Sequence, residues 1–80
     1  MLTDYIRAAM EHAHHEILED GTYYGEIPDC PGVYANAETL ERCRDQLREV
    51  LEDWIVLSLR MGHTFPVING ISLGGEVEVT

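Results

Sequence analysis

The sequence predicts a small mixed α/β domain of the α+β kind, in the order helix, three strands, helix, strand (α-β-β-β-α-β). Three observations predict it. Glu19-Asp20-Gly21 separates two short runs of strand-like residues. A proline- and glycine-rich IPDCPG leads into a third. From Thr39 to Gly62 the apolar residues recur at steps of three and four. Eighty residues make one domain, 1–80. A domain of this length buries only about 60–65% of its unfolded surface, so help from self-association is expected.

The N-terminal helix occupies residues 1–11, read as Leu2 to Glu11. Thr3 is a possible N-cap, and Asp4 suits the first turn. Leu2, Tyr5, Ile6, Ala9 and Met10 mark one apolar face. A three-stranded meander over 13–37 follows. Ala13 to Leu18 and Thr22 to Ile27 form its first hairpin. A two-residue loop would set Ile17 opposite Tyr24. A three-residue loop, a type I turn with a left-handed Gly21, sets Ile17 opposite Tyr23. Only the second aligns Ala13, Ile17, Tyr23, Gly25 and Ile27 on one face, and a one-residue slip would break that alignment. The other face then carries His14, Glu16, Leu18, Thr22, Tyr24 and Glu26.

In IPDCPG, Pro28 removes a ladder donor and ends the second strand. Asp29 can accept from backbone amides just after it. Cys30-Pro31-Gly32-Val33 fits a type II turn, with Gly32 at the position of positive φ. Pro28, Asp29, Pro31 and Gly32 are therefore a structural turn motif. The third strand runs from Val33 to Ala37. Val33, Ala35 and Ala37 face the core and leave room for a helix, while Tyr34 and Asn36 join the outer face.

The long helix spans 39–61, with Thr39 as N-cap and Gly62 as stop. Leu40, Cys43, Leu47, Val50, Leu51, Trp54 and Ile55 form its apolar stripe, and Arg48 and Glu52 an i,i+4 pair. Ile55 to Met61 is apolar nearly all round. The N-terminal helix and a second subunit are the candidate covers. Phe65-Pro66 and Asn69-Gly70 are loop signals. A short last strand falls within 71–79, either Ile71 to Leu73 or Glu76 to Val79.

Charge narrows the class of partner. Fifteen acidic residues stand against five basic ones, giving a formal net charge of −10. Such a chain repels nucleic acid and anionic membranes and attracts basic partners. No signal peptide and no membrane-length apolar run is visible, so a cytoplasmic location with reduced thiols is expected.

No cofactor or metal is expected. His12 and His14 can share a strand face with Glu16, but two imidazoles there read as a solvated edge, and His15 points the other way. Glu16 and Glu26 share the outer face and can in principle act as acid and base, yet no pocket signal accompanies them. Cys30 lacks a base, and Asp29 beside it raises its pKa. Cys43 reads as a small core residue. The chain is not expected to be an enzyme.

The run DGTYYGEIPDCPGVYANAETLERC, followed by a helix with REVLEDW, resembles the HicB family of antitoxins. The matching residues are Asp20-Gly21, Tyr23, Pro28-Asp29-Cys30-Pro31-Gly32 and Thr39-Leu40-Glu41, with Cys30 where leucine is usual. The resemblance covers about residues 13–60. It implies a partial ribonuclease H-like fold whose fourth strand lies beside the first. It also implies a type II toxin–antitoxin role: binding and blocking a small basic mRNA ribonuclease of the HicA type, as a homodimer or higher homo-oligomer. Many members carry a C-terminal operator-binding domain. This chain ends soon after its last strand, so direct nucleic-acid binding is not expected. The residues expected to meet a partner, either a second copy of this chain or the toxin, are Glu16, Tyr24, Glu26 and Tyr34 on the outer sheet face. The alternative for the two tyrosines is cover by their own neighbours or by the N-terminal helix. The rival functions are an orphan HicB-like regulatory module without a toxin, and a metal-dependent nuclease using Glu16, Glu26 or Glu76.

Overall fold

The computed structural model describes residues 2–73. Its elements are α1 (Leu2–Glu11), β1 (His14–Ile17), β2 (Tyr23–Glu26), β3 (Tyr34–Ala37) and α2 (Leu40–Met61), a mixed α+β chain with one antiparallel sheet in the order β1-β2-β3. α1 has the bounds its apolar spacing predicts, but Thr3 lies inside the helix rather than at its N-cap, because the helical turn already includes Leu2. Each strand is four residues long, shorter than expected, because turn geometry takes the flanking residues.

The hairpin register follows from the turn. Gly21 N donates to Leu18 O at 3.0 Å, Leu18 N donates to Thr22 O at 2.8 Å, and Gly21 has φ of 86°. This is the three-residue loop with a left-handed glycine, and it sets Ile17 opposite Tyr23. Asp20 accepts from both the amide and the hydroxyl of Thr22, at 3.0 and 2.6 Å, which lowers its pKa.

IPDCPG makes two consecutive turns. Cys30 N donates to Ile27 O at 2.9 Å, and Val33 N donates to Cys30 O at 3.0 Å, with Gly32 at φ 93°. The second is the expected type II turn. Cys30 is fully buried beneath it, and burial together with Asp29 pushes its thiol up to about 11, a packed group rather than a nucleophile.

Caps define α2. Thr39 Oγ1 accepts from the Arg42 amide at 3.1 Å. At the other end Gly62 is left-handed, its amide donates to Leu59 O, and the His63 amide donates to Ser58 O. That pair of bonds is a Schellman motif. The helix packs across β3 and β2, and α1 packs beside it on the same side. The core joins Tyr5 and Ala9 of α1, Ile27, Val33 and Ala35 of the sheet region, and Cys43, Leu47, Leu51 and Ile55 of α2. Each fully buried leucine or isoleucine here contributes about 1.5–3 kcal/mol. After Gly62 the chain folds back, with Phe65 edge-on to both Trp54 and Tyr5 at 5.6 and 6.2 Å. Tyr5 donates its hydroxyl to Pro66 O at 2.7 Å, and burial raises its pKa to about 12.

Four expectations are corrected. Ile17 lies on the helix-facing side but is 65% exposed, because α2 covers β3 and β2 and stops short of the β1 edge. Leu40 is exposed, since the first turn of α2 lies outside the packed stripe, and Ser58 is buried at the other end instead. The N-terminal helix does not cover the apolar end of α2, where Val56, Leu57, Leu59 and Met61 stay exposed. The last strand appears among the described residues only as an isolated bridge, Ile68 to Ile71. Asn69 and Gly70 between them both have positive φ, as a two-residue hairpin turn requires. Glu76 to Val79 lies outside the described residues.

Candidate partner-binding sheet face

The face of the sheet away from α2 is ordered in two cross-strand rows. His14 pairs with Glu26 and Glu26 with Tyr34; Glu16 pairs with Tyr24 and Tyr24 with Asn36. Strand alternation brings these six side chains to one side, so all four expected partner-contact residues, Glu16, Tyr24, Glu26 and Tyr34, share it. No described residue forms a layer over them. Glu16, Glu26, Tyr34 and Asn36 are exposed and Tyr24 is half-buried by its own neighbours.

The two tyrosines form a unit. Their rings stack at 6.3 Å with 26° between planes, a diagonal contact across β2 and β3. Tyr24 donates its hydroxyl to Glu26 Oε1 at 3.1 Å. Partial burial, the bond to Glu26 and the nearby carboxylate charges all raise the Tyr24 pKa. Asn36 braces the far side, donating to Thr22 Oγ1 at 3.0 Å and to Tyr23 O at 2.8 Å. The result is a flat platform of two fixed aromatic rings between carboxylates. Aromatic bodies with polar tips, set in a field of one sign, suit contact with a basic protein surface.

The three clustered histidines do not converge. His14 stands on the open face. His12 lies beyond α1, its Nδ1 3.2 Å from both Asp29 carboxylate oxygens and its Nε2 2.8 Å from Asn69 Oδ1. Acceptors at both ring nitrogens raise its pKa, the Asn69 bond first and Asp29 next. His12 and His14 therefore do not share a strand face with Glu16, and the Asp29 side chain clasps His12 rather than the amides that follow it. Among the described residues no group of three or more histidine, cysteine or acidic residues is arranged to hold a metal ion.

His15 is the residue sequence reasoning passed over. Its ring turns under the sheet and lies on Gly25, its partner in the ladder. A Cβ on Gly25 would sit 2.8 Å from His15 Cδ2 and 3.2 Å from Cys43 Sγ. His15 Nε2 is buried with no hydrogen-bond partner among the described residues. Burial and the Arg44 charge lower its pKa, which keeps the ring neutral. The signal was present in the register: a residue without a side chain faces His15 across the hairpin. By holding one face of β1 down, His15 presents His14 and Glu16 on the other.

A groove of about 720 Å³ opens elsewhere, between α1 and α2. Arg7, Arg44 and Arg48 line it with Glu11, Glu41 and Asp45, so its charges balance and it concentrates neither sign. No described helix is long and apolar enough to cross a membrane.

Comparisons with known proteins bear on the fold and the family. The crystal structure of TTHA0281 from Thermus thermophilus is similar over 90% of this chain and 90% of that one, with 41% identity and a TM-score of 0.85. No curated protein matches the chain. The UPF0150-like family matches over residues 4–66, a span that holds α1 from Asp4 on, the whole sheet, the turn motif and α2. The chain belongs to the UPF0150-like family of small HicB-like proteins.

Proposed function

We propose that the chain is an antitoxin of a type II toxin–antitoxin system, which binds and occludes a small basic mRNA ribonuclease of the HicA type. The observation that carries this reading is the open sheet face. It sets the Tyr24–Tyr34 stack between Glu16 and Glu26, in a chain of net charge −10. A ribonuclease that grips RNA must present a basic surface, and an acidic platform with rigid aromatic anchors is the complement of such a surface. Occlusion needs no chemistry from this chain, which acts without catalysis, metal or cofactor. The protein works in the cytoplasm, where the mRNA is, and does not itself hold nucleic acid. It self-associates as a homodimer or a higher oligomer.

The test replaces Tyr24 and Glu26 by alanine together. Both side chains face outward, so the fold should persist by circular dichroism. The expected result is a loss of affinity for the ribonuclease on the order of tenfold to a hundredfold. An unchanged affinity with an intact fold would remove the sheet face from the account.

A further inference from the structure

The overhanging end of α2 carries a surface of a different chemistry. A four-residue strand spans about 13 Å, whereas a 22-residue helix spans about 33 Å. α2 starts close behind β3, so its last turns extend past the sheet, and the molecule measures 50 × 23 × 17 Å. On this overhang Asp53, Val56, Leu57 and Arg60 occupy positions i, i+3, i+4 and i+7, one face of the helix. All four are exposed, Val56 by 54% and Leu57 by 57%. The returning loop does not shield this stripe, since Phe65 packs on Trp54. Neither Asp53 nor Arg60 has an ion-pair partner among the described residues, while Arg48 and Arg7 do.

The order of these four residues is chemically palindromic. A second copy of the helix, laid antiparallel about a two-fold axis between Val56 and Leu57, sets each Val56 against the other copy's Leu57. The same operation sets each Asp53 against the other copy's Arg60. We propose that this face of α2 is an isologous self-contact: two copies pack Val56 and Leu57 at the centre and close both ends with reciprocal Asp53–Arg60 pairs. Leu59 and Met61, 54% and 59% exposed, supply the rim.

Two arguments commit the face to a second copy. The first is charge. The stripe holds one acid and one base, so two copies attract there, whereas the open sheet face would set Glu16 and Glu26 against their own copies. The second is area. The exposed parts of Val56, Leu57, Leu59 and Met61 amount to about 400 Å² per chain, an upper bound on the apolar surface each copy can bury there, which suits a small self-contact at the low end of interface sizes. A contact of this size makes a weak dimer whose population depends on concentration. It leaves the sheet face free for the ribonuclease.

The inference rests on the proposed self-association, and the experiment separates the two. Sedimentation velocity of the purified chain alone, across micromolar concentrations, measures the dimer. Asp53→Arg and Arg60→Asp each place like charges at both ends of the contact, and each is expected to weaken the dimer on the order of tenfold or more. Mixing the two variants restores opposite charges at both ends, so a heterodimer of near wild-type affinity is expected. The double variant, Asp53→Arg with Arg60→Asp, should likewise dimerise as the wild type does. If the wild type is monomeric, both self-association and this contact fail. If the wild type dimerises and the single reversals leave it unchanged, or the mixture fails to recover it, self-association stands and this surface is wrong.

Discussion

Replacing Gly25 by alanine probes how the sheet is built from both sides. The new methyl group would lie 2.8 Å from His15 Cδ2, 2.9 Å from its Nε2 and 3.2 Å from Cys43 Sγ. Ordinary carbon contacts are about 3.5–4.0 Å, so the overlap is near 1 Å on the imidazole and smaller on the sulfur. Overpacking of this size costs about 1–3 kcal/mol. Alanine recovers about 0.4–1 kcal/mol by restricting the unfolded chain. The net loss centres on about 1.3 kcal/mol, with an upper end of about 2.6 kcal/mol, and each kcal/mol lowers Tm by about 4–8 °C. Thermal and urea unfolding measure it. In the double variant, His15→Ala with Gly25→Ala, the larger of the two overlaps is gone, so the two changes should couple by about 1 kcal/mol or more. A Gly25→Ala variant as stable as the wild type, with no coupling to His15→Ala, would refute this packing. Because His15 fixes β1 against β2, the same variant should also disturb Glu16 opposite Tyr24 and weaken ribonuclease binding.

Two further perturbations test the frame around the site. Leu51 is fully buried in the core, so Leu51→Ala should cost about 2–5 kcal/mol in urea unfolding, a large share of what so small a domain has. His12, its pKa raised above 6.5 by Asn69 and Asp29, stabilises the fold in its charged form. That contribution is fully present below 6.5 and is lost as pH rises through the folded-state value. The stability lost in His12→Ala should therefore be larger at about pH 5.5 than at about pH 8, as Tm against pH would show. His15 acts with the opposite sign: its lowered pKa removes stability as pH falls below 6.5, and His15→Ala should lessen that acid sensitivity.

What the sequence made legible was local. The bounds of α1, the three-residue hairpin loop, the type II turn at Cys30-Pro31-Gly32-Val33 and both caps of α2 each rest on residues a few positions apart. The register of Ile17 on Tyr23 followed from the loop and a face argument, and it carried the outer-face residues with it correctly. What failed depended on where α2 lands. Periodicity puts Ile17 and Leu40 on apolar faces, but only the path of the helix across β3 and β2 decides that neither is covered. The His12–Asp29–Asn69 clasp joins residues 17 and 57 positions apart, which no local pattern links. His15 was hidden by its neighbours, since three clustered histidines suggest shared chemistry. The open face itself was legible as a set of residues, while the stacking of Tyr24 on Tyr34 required the twist of the real sheet.

In the proposed function this chain silences a basic ribonuclease by covering it with the open sheet face. The most direct measurement adds increasing amounts of the purified chain to a small basic ribonuclease of the HicA type and follows cleavage of an mRNA substrate. The account predicts that cleavage falls to background near stoichiometric addition and that the Tyr24→Ala, Glu26→Ala double variant needs on the order of tenfold more protein or above to do the same. Cleavage that continues at saturating wild-type chain would contradict the account.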